Sequence, residues 1–229
     1  MFIDSTYILV IIAFLLSAFA SFGVKMTFSK YNKVQNSRGL TGADAAKYVL
    51  AAGGAQGVRV ERVSGSLTDH FDPTANVIRL SDSTYASTSV AAVGVAAHEA
   101  GHAVQHATGY VPIKMRNKII PVVNIGNSLS MPIFFLGLIL GRINLAMLGV
   151  VLFSFALVFQ LLTLPVEFNA SIRAIRILDD RNLLSRDELP KAKKVLFSAA
   201  MTYVAAVAAT ALQLLRLLMI ANANSRRRR

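Results

Sequence analysis

The segment "VAAHEAGHAVQH" (95–106) combines residue types that metal-dependent hydrolysis requires. His98 and His102 are four residues apart, so on a helix both rings project from one face, about 5–6 Å apart at Cβ. Two imidazoles at this spacing can bind one tetrahedral zinc ion. Glu99 lies beside them, where it can reach a water on the metal without being a ligand. The competing interpretation is a helix with two hydrogen-bonded histidines and no metal.

A catalytic zinc needs a third protein ligand and keeps one position for water. His106 is the next histidine, but it lies about 12 Å along the helix from His98 at 1.5 Å per residue. One ion cannot contact His98, His102 and His106 together. The sequence therefore predicts that His106 lies at the end of the helix, or that it contacts a metal ligand without contacting the metal.

The remaining candidates for the third ligand are acidic. Glu61 lies in an alternating segment that predicts a solvent-facing position, and Glu188 lies in the charged run "SRDELPKAKK". Glu167 directly follows an uncharged stretch, where Pro165 suits a helix start and places Glu167 in the first turn. A carboxylate at a membrane exit is costly without a partner, which favours Glu167 as the ligand. Its competing role is to pair with Arg173 or to stabilise the helix N-terminus.

The composition predicts an integral membrane protein. Of the 229 residues 54% are hydrophobic, and the mean hydropathy of +0.52 is high for a soluble domain. Residues 7–24, 119–141 and 143–166 are uncharged, and each can cross a hydrocarbon layer of ~30 Å. Residues 195–215 form a weaker fourth candidate. Two crossings separate His98 from Glu167, so both residues lie on the same side of the membrane.

The net charge of +12 is explained by membrane topology rather than by nucleic acid. Basic residues flank the apolar stretches, as in cytoplasmic loops beside anionic lipids. The N-terminus carries Asp4 and no basic residue, which predicts a retained membrane anchor rather than a cleaved signal peptide. The polarity places the N-terminus outside the cell membrane. Residues 25–118 then lie in the cytoplasm. A fourth crossing would place the terminal "RRRR" outside, although basic segments usually stay on the cytoplasmic side. The run is too short to distinguish lipid contact from nucleic-acid contact.

The stretch between the first two apolar segments has soluble-domain character. A helix is predicted over 41–54, with Thr41 as N-cap and Gly53-Gly54 as the stop. Residues 58–63 and 76–81 alternate and predict two antiparallel strands, with turn residues between them. Ser87 or Ser89 then begins a helix that ends before Gly109. The absence of cysteine excludes disulfides, thiolate metal sites and cysteine catalysis.

These patterns predict a mainly α membrane protein with three to four transmembrane helices, a small α+β zincin-like domain and a short antiparallel hairpin. The predicted segments are an N-terminal anchor (1–28), a cytoplasmic zincin-like region (29–118), a transmembrane hairpin (119–166), a third-ligand helix with a basic loop (167–194), and a fourth apolar helix with an arginine-rich tail (195–229).

The sequence resembles the YugP-like neutral zinc metallopeptidases, which are bacterial membrane proteins. The resemblance covers nearly the whole chain and includes "LTDHFDP" (67–73), "SVAAVGVAAHEAGHAVQHATGY" (89–110) and "LPVEFNASIRAI" (164–175). It implies a gluzincin-type site for one Zn²⁺, with His98, His102 and Glu167 as ligands and Glu99 as general base. Phe71 and Asn169 depart from the family pattern, and Asn169 weakens an acidic supporting role at that position.

The function expected from this site is zinc-dependent cleavage of peptides or membrane-protein loops at the cytoplasmic membrane, in a multi-pass protein. The segment 76–81 is expected to bind substrate by strand pairing. His70, Arg173 and Tyr203 are candidate donors to the developing oxyanion. The alternative is a non-catalytic membrane scaffold with a structural or vestigial zinc site, but a closed structural site needs four protein ligands.

Overall fold

The computed structural model describes residues 5–226, with side chains to residue 224. Within this range the chain forms six helices and three strands: α1 (Tyr7–Tyr31), α2 (Gly42–Ala52), β1 (Arg59–Val63), β2 (His70–Asp72), β3 (Val77–Ser81), α3 (Val90–Ala107), α4 (Val111–Ile139), α5 (Ile143–Asp180) and α6 (Leu189–Arg226). Asp4 and the side chains of the terminal arginine run lie outside the described residues. The predicted orientation of the chain in the membrane used both.

Four helices, α1, α4, α5 and α6, are long and apolar enough to cross a membrane. Many of their large hydrophobic side chains are exposed, as expected for lipid contact; Phe14 and Phe19 on α1 are 70% and 81% exposed. The expectation of three to four membrane-length helices is confirmed by length and composition.

The described chain divides into two compact units. The helical unit comprises the chain up to Ala20, Met115–Leu164 and the chain from Thr202 onward. The mixed unit comprises Ser21–Lys114 and Pro165–Met201, so it is assembled from two stretches that the α4–α5 pair separates in the sequence.

In the helical unit, α4 and α5 pack closely because glycines lie at their contact. A Cβ on Gly149 would lie 2.6 Å from the backbone nitrogen of Phe134, and a Cβ on Gly137 would lie 2.2 Å from that of Ala146. The connecting turn uses Gly141 at φ +69°, a conformation that glycine adopts without steric cost. Helices α4 and α5 are therefore joined by a short turn and packed against each other.

The sheet of the mixed unit differs from the predicted antiparallel pair. β1 is parallel to β3, while β2 is antiparallel to β3, giving the order β1-β3-β2. β2 lies in the stretch predicted as a turn, and the tight connection through Asn76 at φ +51° pairs it with β3. β1 is left to pair with the other edge of β3. Alternation identified the long strands, but it carries no information about their direction.

The central position of β3 also overturns the expected mode of substrate binding. Both of its edges are paired within the sheet, by β1 on one side and β2 on the other. Residues 76–81 therefore cannot recruit a peptide as an added strand, because their main-chain groups on both sides are committed to the sheet.

Helices α2 and α3 have the predicted caps and form the core of the mixed unit. Thr41 and Asp44 form a reciprocal capping box at α2, and the Ser89 side chain accepts a hydrogen bond from the Ala92 N–H at α3. Val49, on α2, is among many fully buried small and branched residues from both helices. Gly53 ends α2 against the Val104 side chain, where a Cβ would lie 2.2 Å from a methyl carbon.

Glu188 is buried, with 7% exposure, although a charged run such as "SRDELPKAKK" predicts a side chain in solvent. Its carboxylate accepts hydrogen bonds from the backbone N–H groups of Ser37 at 2.7 Å and Ser185 at 2.8 Å. Burial raises the pKa of Glu188, but these donors outweigh burial and hold the pKa below its ordinary value. The carboxylate thus joins two distant loops of the mixed unit.

Candidate metal centre

Helix α3 presents His98 and His102 one turn apart on the same face. Their ring centroids are 4.7 Å apart, and the ring planes lie at 82° to each other. Both rings are largely shielded from solvent, with side-chain exposures of 14% for His98 and 11% for His102. The two imidazoles are therefore packed edge to face in the interior of the mixed unit.

Glu167 lies within α5, which is one continuous helix through Pro165. The prediction that Pro165 begins a helix is wrong. Proline is also tolerated inside long membrane helices, where neighbouring groups satisfy the freed backbone carbonyl. Glu167 is therefore an interior helical residue, 3% exposed, rather than a first-turn residue at a helix N-terminus.

Close contact between two backbones brings α5 against α3. A Cβ on Gly101 would lie 2.6 Å from the backbone oxygen of Ala170, so only glycine fits at this position without a shift. Gly101 precedes His102, and Ala170 lies three residues after Glu167. The contact is therefore close in the sequence to the histidine pair on one helix and to the carboxylate on the other.

Three donor atoms converge at this contact. Glu167 Oε2 lies 3.3 Å from His98 Nε2 and 3.3 Å from His102 Nε2, and candidate ligand atoms of the three residues all lie within 4.8 Å of one another. Two imidazole nitrogens and one carboxylate oxygen form a donor set typical of catalytic zinc. The residues fit the ion by chemistry and proximity, and their role as ligands stays a prediction.

The far nitrogen of each ring has its own hydrogen-bond partner. His98 Nδ1 lies 3.0 Å from Ser171 Oγ, and His102 Nδ1 lies 3.1 Å from Gln105 Oε1. These contacts leave the two Nε2 atoms facing Glu167, where a metal would be held. Such contacts orient ligand rings in many metal sites.

The electrostatic environment favours positive charge at the centre. Burial lowers the pKa of His102, but hydrogen bonding and attraction to the Glu167 carboxylate outweigh burial, and the charge of Glu99 adds to them; the net pKa is raised. A site that attracts a proton to His102 also attracts a cation. Protons and metal compete for the same nitrogen, so acid opposes metal binding.

Glu99 is half-buried on α3 beside the histidine pair and is not a member of the three-residue donor group. Its position agrees with the expected one for a general base, next to the ligands without ligating. That role stays a prediction.

The remaining predicted residues lie at different places. Arg173 joins the network around the centre, because its Nε donates to Asn169 Oδ1 at 2.8 Å. His106 is exposed in the last turn of α3, with its ring 5.8 Å from that of Phe71. His70 is exposed on β2, and its Nδ1 contacts the Thr68 carbonyl oxygen at 2.9 Å. Tyr203 lies on α6 in the helical unit, outside the unit that carries the donor group.

Sequence reasoning missed three polar residues around the centre: Gln105, Asn169 as a hydrogen-bond acceptor, and Ser171. Gln105 is fully buried, yet it contacts His102 on the same helix and Val166 on α5. A polar residue three positions after a candidate ligand, in a helix otherwise rich in alanine and valine, is a signal that could have identified it. Ser171 offered a weaker signal, one turn after Glu167.

A cavity of about 790 Å³ lies beside the centre, between α5 and α6 within the mixed unit. Its lining includes Ser171, the partner of His98, and apolar side chains such as Phe168, Ile172 and Phe197. Charged residues line it further along both helices, among them Arg176, Asp179 and Lys194. The cavity offers a largely apolar surface next to one candidate ligand.

Comparison with known proteins identifies the family of this chain. The chain matches the family described as "Putative neutral zinc metallopeptidase" over residues 6–222. It is similar to "Putative membrane protease YugP" of Bacillus subtilis (strain 168), with 48% identity over 212 residues, covering 93% of this chain and 94% of that protein. No solved structure matches it.

The fold and site thus define a membrane protein whose buried donor group suits zinc. The chain belongs to the neutral zinc metallopeptidase family. The family resemblance seen in the sequence is confirmed, and it supports zinc, peptidase function and membrane localisation at the level of the family.

Substitution of Gly101 by alanine is expected to separate α3 from α5. The added methyl would lie 2.6 Å from the Ala170 oxygen, and such overpacking costs about 1–3 kcal/mol. We expect a lower melting temperature and weaker zinc binding, measured by chelator competition. Gly94→Ala is the matched control on the same helix, because its Cβ would meet Ala192 Cβ at an ordinary 3.5 Å. Equal zinc affinity in both variants would contradict the argument.

Substitution of Glu167 by alanine is expected to abolish stable zinc binding, because it removes the carboxylate that faces both Nε2 atoms. Metal analysis of the purified protein should show about one zinc per chain in the wild type and a large loss in the variant. Glu61→Ala is the control, since Glu61 instead pairs with Arg59 at 2.9 Å. Full zinc occupancy in Glu167→Ala would point to a different third ligand.

Proposed function

We propose that this chain is a membrane-embedded zinc-dependent endopeptidase that hydrolyses peptide bonds with Glu99 as general base. The observation that carries the proposal is the convergence of His98, His102 and Glu167 within 4.8 Å, with Glu99 beside them on the same helix as the histidines. Family membership supports the reaction class.

Each residue has a specific chemical role in this proposal. His98 and His102 contribute neutral Nε2 lone pairs, and Glu167 contributes a carboxylate oxygen. When bound, zinc supplies Lewis acidity that lowers the pKa of water toward ~7 and polarises a carbonyl. Glu99 accepts the proton of the attacking water and then transfers it to the leaving amine nitrogen, so the peptide C–N bond breaks with no net change in protonation of the enzyme.

The number of ligands favours catalysis over a structural role. A structural zinc site is closed by four protein ligands, whereas a catalytic site uses three and keeps one position for water or substrate. The donor group found among the described residues has three members. A non-catalytic scaffold with a structural zinc would require a fourth.

The substrate class follows from the surroundings of the centre. Glu167 is carried by α5, a membrane-length helix, and the adjoining cavity is lined by apolar side chains such as Phe168 and Ile172. These features favour apolar peptides or membrane-protein segments as substrates. Arg173 is the preferred candidate oxyanion donor, because it lies in the hydrogen-bond network around the centre; His70 and Tyr203 are the other candidates.

The location proposed for the reaction is the cytoplasmic face of the cell membrane. Basic residues cluster on both sides of the stretch that contains the histidines, after α1 and at the start of α4. Positively charged loops remain on the cytoplasmic side. The protein is then a multi-pass membrane protein with its N-terminus and its α4–α5 turn outside.

Substitution of Glu99 by glutamine is expected to eliminate cleavage while zinc remains bound, because the amide cannot accept a proton but the three ligands are intact. A casein or apolar model peptide, assayed in detergent, measures cleavage, and metal analysis measures zinc. General-base loss costs about 10²–10⁴-fold in rate. Undiminished cleavage by Glu99→Gln would remove Glu99 from the mechanism.

The proposed orientation can be measured because the chain has no cysteine. Ala75 is exposed in the β2–β3 turn and Asn144 is exposed at the start of α5. In intact cells, Ala75→Cys is expected to resist a membrane-impermeant thiol reagent until the cells are lysed, whereas Asn144→Cys is expected to react at once. The reverse pattern would place the centre outside.

A further inference from the structure

A chain of hydrogen bonds runs from Arg173 through Asn169 and Gln105 to His102. Arg173 Nε donates to Asn169 Oδ1 at 2.8 Å, and Gln105 Nε2 also lies 3.0 Å from that oxygen. Gln105 Nε2 lies 2.8 Å from the Val166 carbonyl oxygen, and Gln105 Oε1 lies 3.1 Å from His102 Nδ1. All of these groups lie in the mixed unit.

The chemistry of the groups fixes the direction of every bond. An arginine side chain only donates, so the Asn169 atom that it contacts is the oxygen. That oxygen and the Val166 carbonyl oxygen only accept, so both protons of the Gln105 amide nitrogen are used for them. The Gln105 oxygen must then face His102, and because it only accepts, this contact is a hydrogen bond when His102 Nδ1 carries a proton. Glu167 Oε2 faces Nε2 of the same ring at 3.3 Å and also only accepts, so the two acceptors compete for the single proton of the neutral ring.

We propose that Gln105 is a positioning residue that favours the Nδ1–H tautomer of neutral His102 against the Nε2–H tautomer that Glu167 favours, so that the Nε2 lone pair is available to the metal before the metal arrives. A neutral imidazole carries one proton, so a proton fixed on Nδ1 leaves Nε2 without one. The Val166 carbonyl oxygen only accepts, so its contact with Gln105 already requires the amide nitrogen to face it. The Asn169 oxygen, which accepts from Arg173, requires the same orientation of the Gln105 amide.

Gln105 also joins the two ligand-bearing helices. It lies on α3 and donates to the carbonyl of Val166 on α5, and Val166 immediately precedes Glu167. Gln105 is 0% exposed, so water does not compete for its amide. One side chain therefore sets both the ring of His102 and its distance from the backbone that carries the third ligand.

The other histidine lacks this control. His98 Nδ1 contacts Ser171 Oγ at 3.0 Å, and a hydroxyl either donates or accepts. The Ser171 contact is therefore compatible with both tautomers of His98. The two histidines, equivalent in the sequence motif, are expected to differ in the metal-free protein.

The test is a nitrogen-15 spectrum of metal-free protein labelled at histidine, recorded at alkaline pH, where the rings are neutral. The His102 signals are assigned by their loss in His102→Asn. We expect His102 to show a protonated Nδ1 and an unprotonated Nε2 in the wild type. A wild-type His102 with its proton on Nε2 would overturn the inference without any variant.

Gln105→Met keeps the side-chain volume and removes the amide. We expect His102 to shift toward the Nε2–H tautomer, which free imidazole side chains prefer, and zinc affinity to fall about 10–100-fold. Asn169→Asp keeps the oxygen acceptor, so the wild-type tautomer is expected to persist. Ser171→Ala should leave His102 unchanged, because its contact is to His98. An unchanged tautomer in Gln105→Met, with zinc affinity within about twofold of wild type, would refute the role of Gln105.

The inference rests on the metal site of the proposed function, but the two can fail separately. The tautomer is read in the metal-free protein and zinc affinity is read without substrate. A chain that binds zinc with the expected tautomer and cleaves no peptide would refute the peptidase proposal and leave the role of Gln105 intact.

Discussion

The backbone contact between Gly101 on α3 and Ala170 on α5 sets the geometry of the metal centre. Two of the candidate ligands come from the first helix and one from the second, so the distance between the helices determines whether their donor atoms can meet. Further small residues on the two helices, Ala100, Ala170 and Ala174, are fully buried. Small residues let helix backbones approach closely, and the 3.3 Å separations between Glu167 and the two rings depend on that approach.

Burial of Glu167 gives the centre its preference for a cation. A carboxylate removed from water is strongly destabilised unless positive charge or hydrogen bonds compensate it. In this structure two imidazole Nε2 atoms face the same carboxylate oxygen, and the pKa of His102 is raised in consequence. A divalent ion at this point would interact with the carboxylate and both rings at once, so the burial of the carboxylate favours metal binding.

The helix that carries Glu167 contributes residues to both compact units. α5 is a single helix of 38 residues, whose first part belongs to the helical unit and whose last part belongs to the mixed unit. A ligand on a long helix has fewer conformations than one on a loop, which reduces the entropy lost when a metal is bound. A relative of this chain is named as a membrane protease, and a candidate centre carried by a membrane-length helix is consistent with that name.

The sequence by itself determined the local features of this protein. The apolar stretches predicted the membrane-length helices, Thr41 and Ser89 predicted two helix starts, and the spacing of His98 and His102 predicted their common face. These features depend on residues close in the chain, where helix geometry fixes the outcome. Tertiary structure decided the direction of β1 against β3, the continuity of α5 through Pro165, the burial of Glu188, and the contact of Gln105 with both His102 and Val166. The strand direction, the burial of Glu188 and the contact of Gln105 with Val166 depend on which distant segment supplies a partner, and residue spacing carries no information about that choice. The continuity of α5 depends on neighbouring groups that satisfy the carbonyl freed by Pro165.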